Sequence, residues 1–354
     1  MQSNLKSYGW TAFWDAKFTS YLSQGLVPGR IVSEQRDSWA VMLESGERVG
    51  VLAGKLRVDE SFPAVGDWVG VHDPGEGIVR IDALLSRRSC LARKEAGQRL
   101  REQVICANVD QVLLVTSLNA DFNIRRIERY LAAIHASGAQ ALLVLSKLDA
   151  AVEQAAMQRE VAEVAPNVPW VALSALSGEG LAELQGHLVP QQTFVLVGSS
   201  GVGKSTLVNR LLGREEQEVK DIRGDDAKGR HTTTGRHLFV LAGGALLVDT
   251  PGMRELQLWD DSSAGLDETF QDVTKWMNRC RYGDCRHSNE PGCALQEALA
   301  SGALTEERYA SFLKLERELD FLKRKKSKGA RREEQRLWRQ RSVDMRARRK
   351  LEGR

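Results

Sequence analysis

Between Pro28 and about Ile81 the chain alternates apolar and polar residues in short runs broken by turn residues: "GRIVSEQ", "SWAVMLESGERVGVLAG" and "AVGDWVGVHDPGEGIVRI". A period of two predicts half-buried strands, and several such runs with glycine-containing turns predict a small antiparallel barrel. An OB-like barrel is one candidate, and any other small β-domain has the same periodicity. From about residue 110 the pattern changes. "DQVLLVTSL", "ALLVLS", "VPWVALS" and "TFVLVG" are nearly continuous apolar runs, as expected of strands buried on both faces. "HLFVL" and "ALLVD" predict a strand pair. "IRRIERYLAAIHAS", residues 152–165, "LAELQGHL" and residues 204–212 predict helices, with Gly138 as a C-cap to the first. Strands alternating with helices predict a mostly parallel, doubly wound sheet covered on both faces.

These changes of pattern divide the chain into five parts. They are an N-terminal extension (1–24), a β-barrel (25–88), an α/β domain (89–262), a helical Cys/His module (263–322) and a basic tail (323–354). The extension carries scattered aromatics and reads as poorly packed.

Composition adds three points. A 42% apolar content over 354 residues is enough for more than one buried core. No run approaches the roughly eighteen apolar residues of a membrane span, and the first residues lack a secretion pattern, so a cytoplasmic protein is expected. The net charge of +3 conceals an asymmetry. From Lys323 to Arg354 fifteen basic and four acidic residues give +11, which leaves −8 for the rest. A basic segment on an acidic body predicts a polyanionic partner.

The chemistry concentrates in a few strings. "GSSGVGKS", Gly198-Ser199-Ser200-Gly201-Val202-Gly203-Lys204-Ser205, follows an apolar strand and opens a helix that continues with Thr206. Its spacing is that of a phosphate-binding loop: glycines let backbone N–H groups curl around phosphate oxygens at the positive end of a helix. Lys204 is expected on the β/γ-phosphates and Ser205 on Mg²⁺. "ALLVDTPG" places Asp249 at a strand end, where it holds Mg²⁺ through water, and Gly252 offers its N–H to the γ-phosphate. Between these strings, "KDIRGDDAKGRHTTTGRH" is polar and glycine-rich, as expected of a segment that orders around a γ-phosphate. One of Thr232, Thr233 and Thr234 supplies a further hydroxyl to Mg²⁺, with Thr233 favoured. Met253 stands where many such enzymes place a water-orienting glutamine, so intrinsic hydrolysis is expected to be slow. His231 is the local candidate to orient the water.

"SKLD", Ser146-Lys147-Leu148-Asp149, matches a guanine reader. Asp149 pairs with the base N1–H and exocyclic amine, and Lys147 packs its stem along the base. Adenine lacks that donor pair and is rejected. Ser146 departs from the usual Asn or Thr. In "LSALSGEG" the Ser174-Ala175 backbone is the expected contact to guanine O6. The base readers therefore precede the phosphate loop, and the two later switch strings follow it: a GTPase order rotated along the chain. A doubly wound domain tolerates this because its ends often lie close together.

"CRYGDCRHSNEPGC" offers Cys280, Cys285, His287 and Cys293, three thiolates and an imidazole suited to one structural, tetrahedral Zn²⁺. Cys90 and Cys106 read as ordinary partly buried thiols. The tail, with its positive excess and Trp338, suggests phosphate contacts that weaken with salt.

The rotated order, together with "FNIRRIERYL", "GRHTTT", "DTPGMREL" and the cysteine spacing, resembles the circularly permuted, small-ribosomal-subunit-dependent GTPase family known as RsgA or YjeQ. The resemblance covers about residues 25–325. It implies an OB-like barrel, a permuted P-loop GTPase domain and a C-terminal zinc module. It further implies a bacterial assembly factor that binds the 30S subunit and its 16S rRNA late in maturation, with subunit-stimulated conversion of GTP to GDP; a monomer is expected. Two competing readings are an RNA-binding scaffold in which nucleotide is only structural, and a nucleotide kinase or ATPase. The second leaves "SKLD" and "LSAL" unexplained.

Overall fold

The computed structural model describes residues 4–94, 102–213, 236–249, 262–288 and 290–324. The chain forms two compact units. One comprises residues 1–93 and 104–257, the other 94–103 and 258–354.

The first unit begins with two helices, α1 (Asn4–Ser7) and α2 (Ala12–Leu22). Five strands follow: β1 (Val27–Glu34), β2 (Trp39–Leu43), β3 (Gly46–Leu52), β4 (Trp68–His72) and β5 (Val79–Leu84), with the short helix α3 (Gly54–Val58) after β3. Their order is β1-β2-β3-β5-β4, and β1 also pairs with β4 from Val27↔Val71 to Arg30↔Trp68. The sheet therefore closes into a five-stranded barrel, which removes its open edges. Ile31, Val41, Val69, Val71, Val79 and Ile81 fill it, as the alternating pattern requires. Closure needs one parallel pair, β3 with β5, in an otherwise antiparallel set.

The N-terminal segment differs from the poorly packed expectation. Trp14 and Phe18 are buried with Leu5 against Leu26, Trp68 and Leu85. Trp10 meets the Trp68 ring edge-on at 4.8 Å. The partner of these aromatics lies some fifty residues away on β4, so no local period announces the packing.

Two strands, β6 (Cys90–Lys94) and β7 (Glu102–Ala107), form a small sheet of their own. Cys106 is fully buried, beyond the partial burial expected, and that burial pushes its thiol pKa far up, so it is inert. The α/β domain then contributes β8 (Gln111–Ser117), α4 (Ile124–Ala136), β9 (Gln140–Ser146), α5 (Gln154–Val164), β10 (Trp170–Ala172), α6 (Leu181–His187), β11 (Thr193–Val197), α7 (Lys204–Leu212), β12 (His237–Val240) and β13 (Leu246–Asp249). The strand order is β10-β9-β8-β11-β13-β12. All these pairs are parallel except β13 with β12. Leu113, Leu142, Val144, Val171, Phe194, Leu196 and Leu247 pack beneath Leu184, Leu207 and Leu211 of the helices.

The barrel and this sheet are continuous, because β12 pairs with β1 at Ser33↔His237. Beside that bridge, Arg236 forms an ion pair with Glu34 at 3.1 Å and donates to the Val104 carbonyl at 3.2 Å. A second tie is Arg30, whose guanidinium is 2% exposed and lies 4.9 Å over Trp68. It donates to the carbonyls of Tyr8 and Gly66, to Thr193 Oγ1 at 2.8 Å, and to Asn108 at the limit of bonding. Burial pushes its pKa down to about 10, against the pull of Asp110, so it stays charged at neutral pH. Arg30→Ala is expected to orphan these buried acceptors and cost about 3 kcal/mol. A urea titration checks this: the midpoint falls while the slope is unchanged.

The second unit is helical among its described residues from 262 on: α8 (Ser263–Thr269), α9 (Gln271–Met277), α10 (Ala294–Ala300) and a helix over residues 306–324. Phe270, Val273, Leu295, Phe312, Leu315 and Leu319 are buried in it. Arg308 lies 4.1 Å over the Phe270 ring, pairs with Asp272 at 2.9 Å and donates to the Thr269 carbonyl at 2.8 Å. The tail beyond residue 324, with Trp338, lies outside the described residues.

Candidate nucleotide site and metal centre

Parallel strands bring their C-terminal ends to one edge of a sheet, and ligands of doubly wound folds bind in the crevice there. Four of the expected strings leave the sheet at that edge. "SKLD" follows β9, "SAL" follows β10, the phosphate loop follows β11, and Asp249 ends β13. Their rotated order along the chain does not matter to the geometry, because strand neighbours rather than chain order set which loops meet.

The phosphate loop is shaped by two glycines. At Gly198, φ is +143° and an added Cβ would stand 2.1 Å from the Val115 carbonyl of β8, so no side chain fits. Gly203 caps α7 in a left-handed conformation, φ +97°. Val202 is buried in the core with Leu207, which anchors the loop, while Ser200, Gly201 and Ser205 are exposed and Thr206 is half-buried. Lys204 donates from Nζ to the carbonyls of Gly198 and Ser199, both at 2.6 Å, which folds its ammonium across the loop mouth. Behind the loop, Arg126 at the start of α4 pairs with Asp121 at 2.9 Å and donates to Ser199 Oγ at 2.7 Å. Asn123 caps that helix by accepting from the Arg126 N–H.

On the base side, Lys147 adopts a left-handed conformation, φ 58°, and leads into the turn Leu148–Ala150. Asp149 is exposed on that turn. Ser146 is buried, and its hydroxyl lies 2.6 Å from the Val202 carbonyl and 3.1 Å from that of Thr116. The shorter contact ties the base loop to the phosphate loop, so Ser146 does its work on the protein backbone. Ser146→Ala is expected to weaken GTP and GDP binding alike by about five- to tenfold, measured by titration with a fluorescent guanine nucleotide. Equal affinities would make the tie dispensable. Ser174 is fully buried and accepts from the Ser177 N–H at 3.2 Å, and Ala175 follows half-buried.

Asp249 is half-buried, one residue past the Val195↔Val248 pair that sets β13 against β11, and so beside the phosphate loop. His231, Thr233 and Gly252, like Thr232, Thr234 and Met253, lie outside the described residues. Sequence reasoning missed Arg126 and Arg210. Arg126 falls in a string singled out only for its resemblance, and the reach of either side chain depends on tertiary neighbours.

In the second unit the ligand atoms of Cys280, Cys285, His287 and Cys293 lie within 4.8 Å of one another. Cys280 Sγ is 3.9 Å from Cys293 Sγ and 3.4 Å from His287 Nδ1, and Cys293 Sγ is 3.7 Å from the same nitrogen. A tetrahedron with thiolates about 2.3 Å and imidazole about 2.0 Å from its centre has edges of about 3.8 and 3.5 Å. The cluster fits a metal ion. Burial opposes ionisation of Cys280, but the amides of Leu295 and Ala294 at the start of α10 and the facing thiols bring its pKa below the usual thiol value. The His287 amide favours the Cys285 thiolate, yet burial and the sulfurs of Cys293 and Cys280 push its pKa up to about 11. A bound cation relieves that crowding.

This fold and site define a P-loop nucleotide-binding protein with a permuted chain and a metal-binding helical module. The RsgA GTPase family model matches residues 84–259. The small ribosomal subunit biogenesis GTPase RsgA of Syntrophotalea carbinolica is 45% identical over 89% of this chain and 90% of its own. Its namesake from Opitutus terrae is 42% identical over 99% of both. Among solved structures, YjeQ from Thermotoga maritima is 28% identical, with a TM-score of 0.63 over 83% of this chain and 98% of that one. YloQ, described as a circularly permuted GTPase, shares the fold at a TM-score of 0.61 over 85% and 96%. The chain belongs to the RsgA GTPase family, and its reaction is GTP hydrolysis.

Proposed function

We propose that this chain is a GTP hydrolase that acts late in the biogenesis of the small (30S) ribosomal subunit and binds its 16S rRNA in a nucleotide-dependent way. The observation that carries the reading is the meeting of "SKLD", "SAL", the phosphate loop and Asp249 at one edge of one sheet. The names of the curated relatives supply the ribosomal setting. Asp149 and the Ser174-Ala175 backbone select guanine. Lys204 exchanges its two loop carbonyls for β/γ-phosphate oxygens and, with the loop amides, stabilises charge that grows as water attacks the γ-phosphate. Ser205, Thr233 and Asp249 would hold Mg²⁺, which neutralises phosphate charge when bound. Gly252 donates to the γ-phosphate, and His231 orients the water in place of the glutamine that Met253 replaces.

In the second unit the metal is zinc, held structurally, since four protein ligands leave no open position. Its surface suits RNA. Lys275 and Arg279 flank Trp276 at 5.5 and 5.4 Å, and Arg281 lies 5.5 Å over Tyr282, which is 49% exposed. Cations interleaved with aromatic faces bind phosphates and stack bases. The basic tail adds salt-sensitive attraction. The protein is read as a cytoplasmic monomer; no described helix is long and apolar enough to cross a membrane. Co-sedimentation with purified 30S subunits tests the reading. Binding is expected with a non-hydrolysable GTP analogue, weaker with GDP, and falling steeply with salt. Equal binding with either nucleotide would favour a scaffold.

A further inference from the structure

Two successive carbonyls of the base-side loop accept from one guanidinium. Arg210 Nε donates to Ala175 and its Nη2 to Leu176, each at 3.0 Å. The neighbouring Ser174 carbonyl accepts from the Gly178 N–H at 2.9 Å. Peptide planarity means that a fixed carbonyl also fixes the following N–H, which points the opposite way. The Ser174 and Ala175 carbonyls are thus committed, and the N–H groups of Ala175 and Leu176 each point away from the partner of the carbonyl that precedes them. Neither N–H donates a hydrogen bond among the described residues. A loop with its acceptors occupied and two adjacent donors open suits an oxo group.

Arg210 sits in the last turn of α7, the helix whose first residue is Lys204. Six residues separate them, about 9 Å along the axis. One rigid helix therefore carries the phosphate-binding lysine at one end and the clamp on the base-side loop at the other.

We propose that Arg210 is a positioning residue for nucleotide selectivity. By fixing the Ala175 carbonyl it holds the Leu176 N–H, beside the Ala175 N–H that the Ser174–Gly178 bond sets, so that the two meet the 6-oxo group of guanine in register with phosphates bound at the start of the same helix. This rests on the reading of the Ser174-Ala175 loop as the O6 contact. ATP offers an amine at that position, so two donors face a donor and the nucleotide is disfavoured.

The test compares binding of GTP, ITP and 6-thio-GTP to the full-length protein and to Arg210→Ala and Arg210→Lys. Sulfur accepts hydrogen bonds poorly, so 6-thio-GTP reports on the 6-position contact, whereas ITP keeps the oxo group and lacks only the amine read by Asp149. The wild type is expected to prefer GTP over 6-thio-GTP by about tenfold. Arg210→Ala is expected to lose most of that preference, to keep the GTP/ITP ratio, and to raise KM for GTP far more than it lowers kcat. Arg210→Lys, which reaches one carbonyl at a time, recovers part of the preference. Arg210 is exposed, and a thermal scan verifies that both variants are folded. An undiminished preference for GTP over 6-thio-GTP in Arg210→Ala and Arg210→Lys overturns the proposal alone. Absence of that preference in the wild type overturns the O6 contact, and the clamp's role with it.

Discussion

Replacing Lys204 with alanine is expected to lower kcat/KM for GTP by about a thousandfold while leaving the thermal midpoint within a few degrees of wild type. Lys204 is the one described cation on the phosphate loop itself, and its Nζ already spans the mouth, 2.6 Å from the Gly198 and Ser199 carbonyls. Lys204 is half-buried on the loop and is not part of the apolar core around it, so folding loses little. Charge developing on the γ-phosphate loses its nearest fixed positive group, and a group of that kind is worth roughly 3–4 kcal/mol in a transition state. Arginine is not expected to substitute, because a planar guanidinium does not act as a compact point charge. Single-turnover hydrolysis with GTP in excess over Kd separates the chemical loss from weaker binding. A variant within tenfold of wild type would mean that Lys204 does not carry the reaction.

The second large effect concerns the metal. Removing it with a chelator, or replacing Cys293 with serine, is expected to unfold the second unit while GTP binding persists, since the described nucleotide-site elements all belong to the first. Three helices of that unit, α8, α9 and α10, have seven residues each. Helices so short are not stable without tertiary support. The segment between α9 and α10 has no strand or helix among its described residues, and the Cys/His cluster is what gathers it. A structural zinc supplies on the order of 10 kcal/mol to such a fold. Far-UV circular dichroism during chelation should show helix loss together with release of one metal ion per chain. Full retention of helicity in a metal-free sample would contradict a structural role.

Much of this architecture was legible in the sequence because it is local. The phosphate loop is one continuous string between an apolar strand and a helix. The apolar runs of β8, β9 and β11 carry the mark of strands buried on both faces. The alternating runs of β1 to β5 predicted a barrel, although its closure through β1 and β4 is a long-range pairing that no period encodes. The cysteine spacing pointed to a metal, and the sulfur and nitrogen positions meet that geometry. What stayed hidden depends on contacts across the chain. Trp14 and Phe18 looked stray because Trp68 is distant in sequence. Arg30 stands in an alternating strand with nothing local to mark it, yet it is buried, and its partners come from four separate segments. Ser146 stands out in the sequence only as a departure from the usual Asn or Thr, and its hydroxyl meets the Val202 carbonyl fifty-six positions away. Arg210 is exposed on its helix, and its two carbonyl partners lie on a loop 35 and 34 positions away, which no local pattern encodes.

The central claim is that a guanine-selective hydrolase is coupled to the small ribosomal subunit. Multiple-turnover hydrolysis by the zinc-loaded protein, with and without purified 30S subunits and with ATP as the control, tests it most directly. The account predicts slow GTP turnover alone, a rise of about a hundredfold or more with the subunit as its contacts complete the site around the γ-phosphate, and negligible ATP turnover under either condition. GTP turnover unchanged by the subunit, or ATP hydrolysed as readily as GTP, would contradict it.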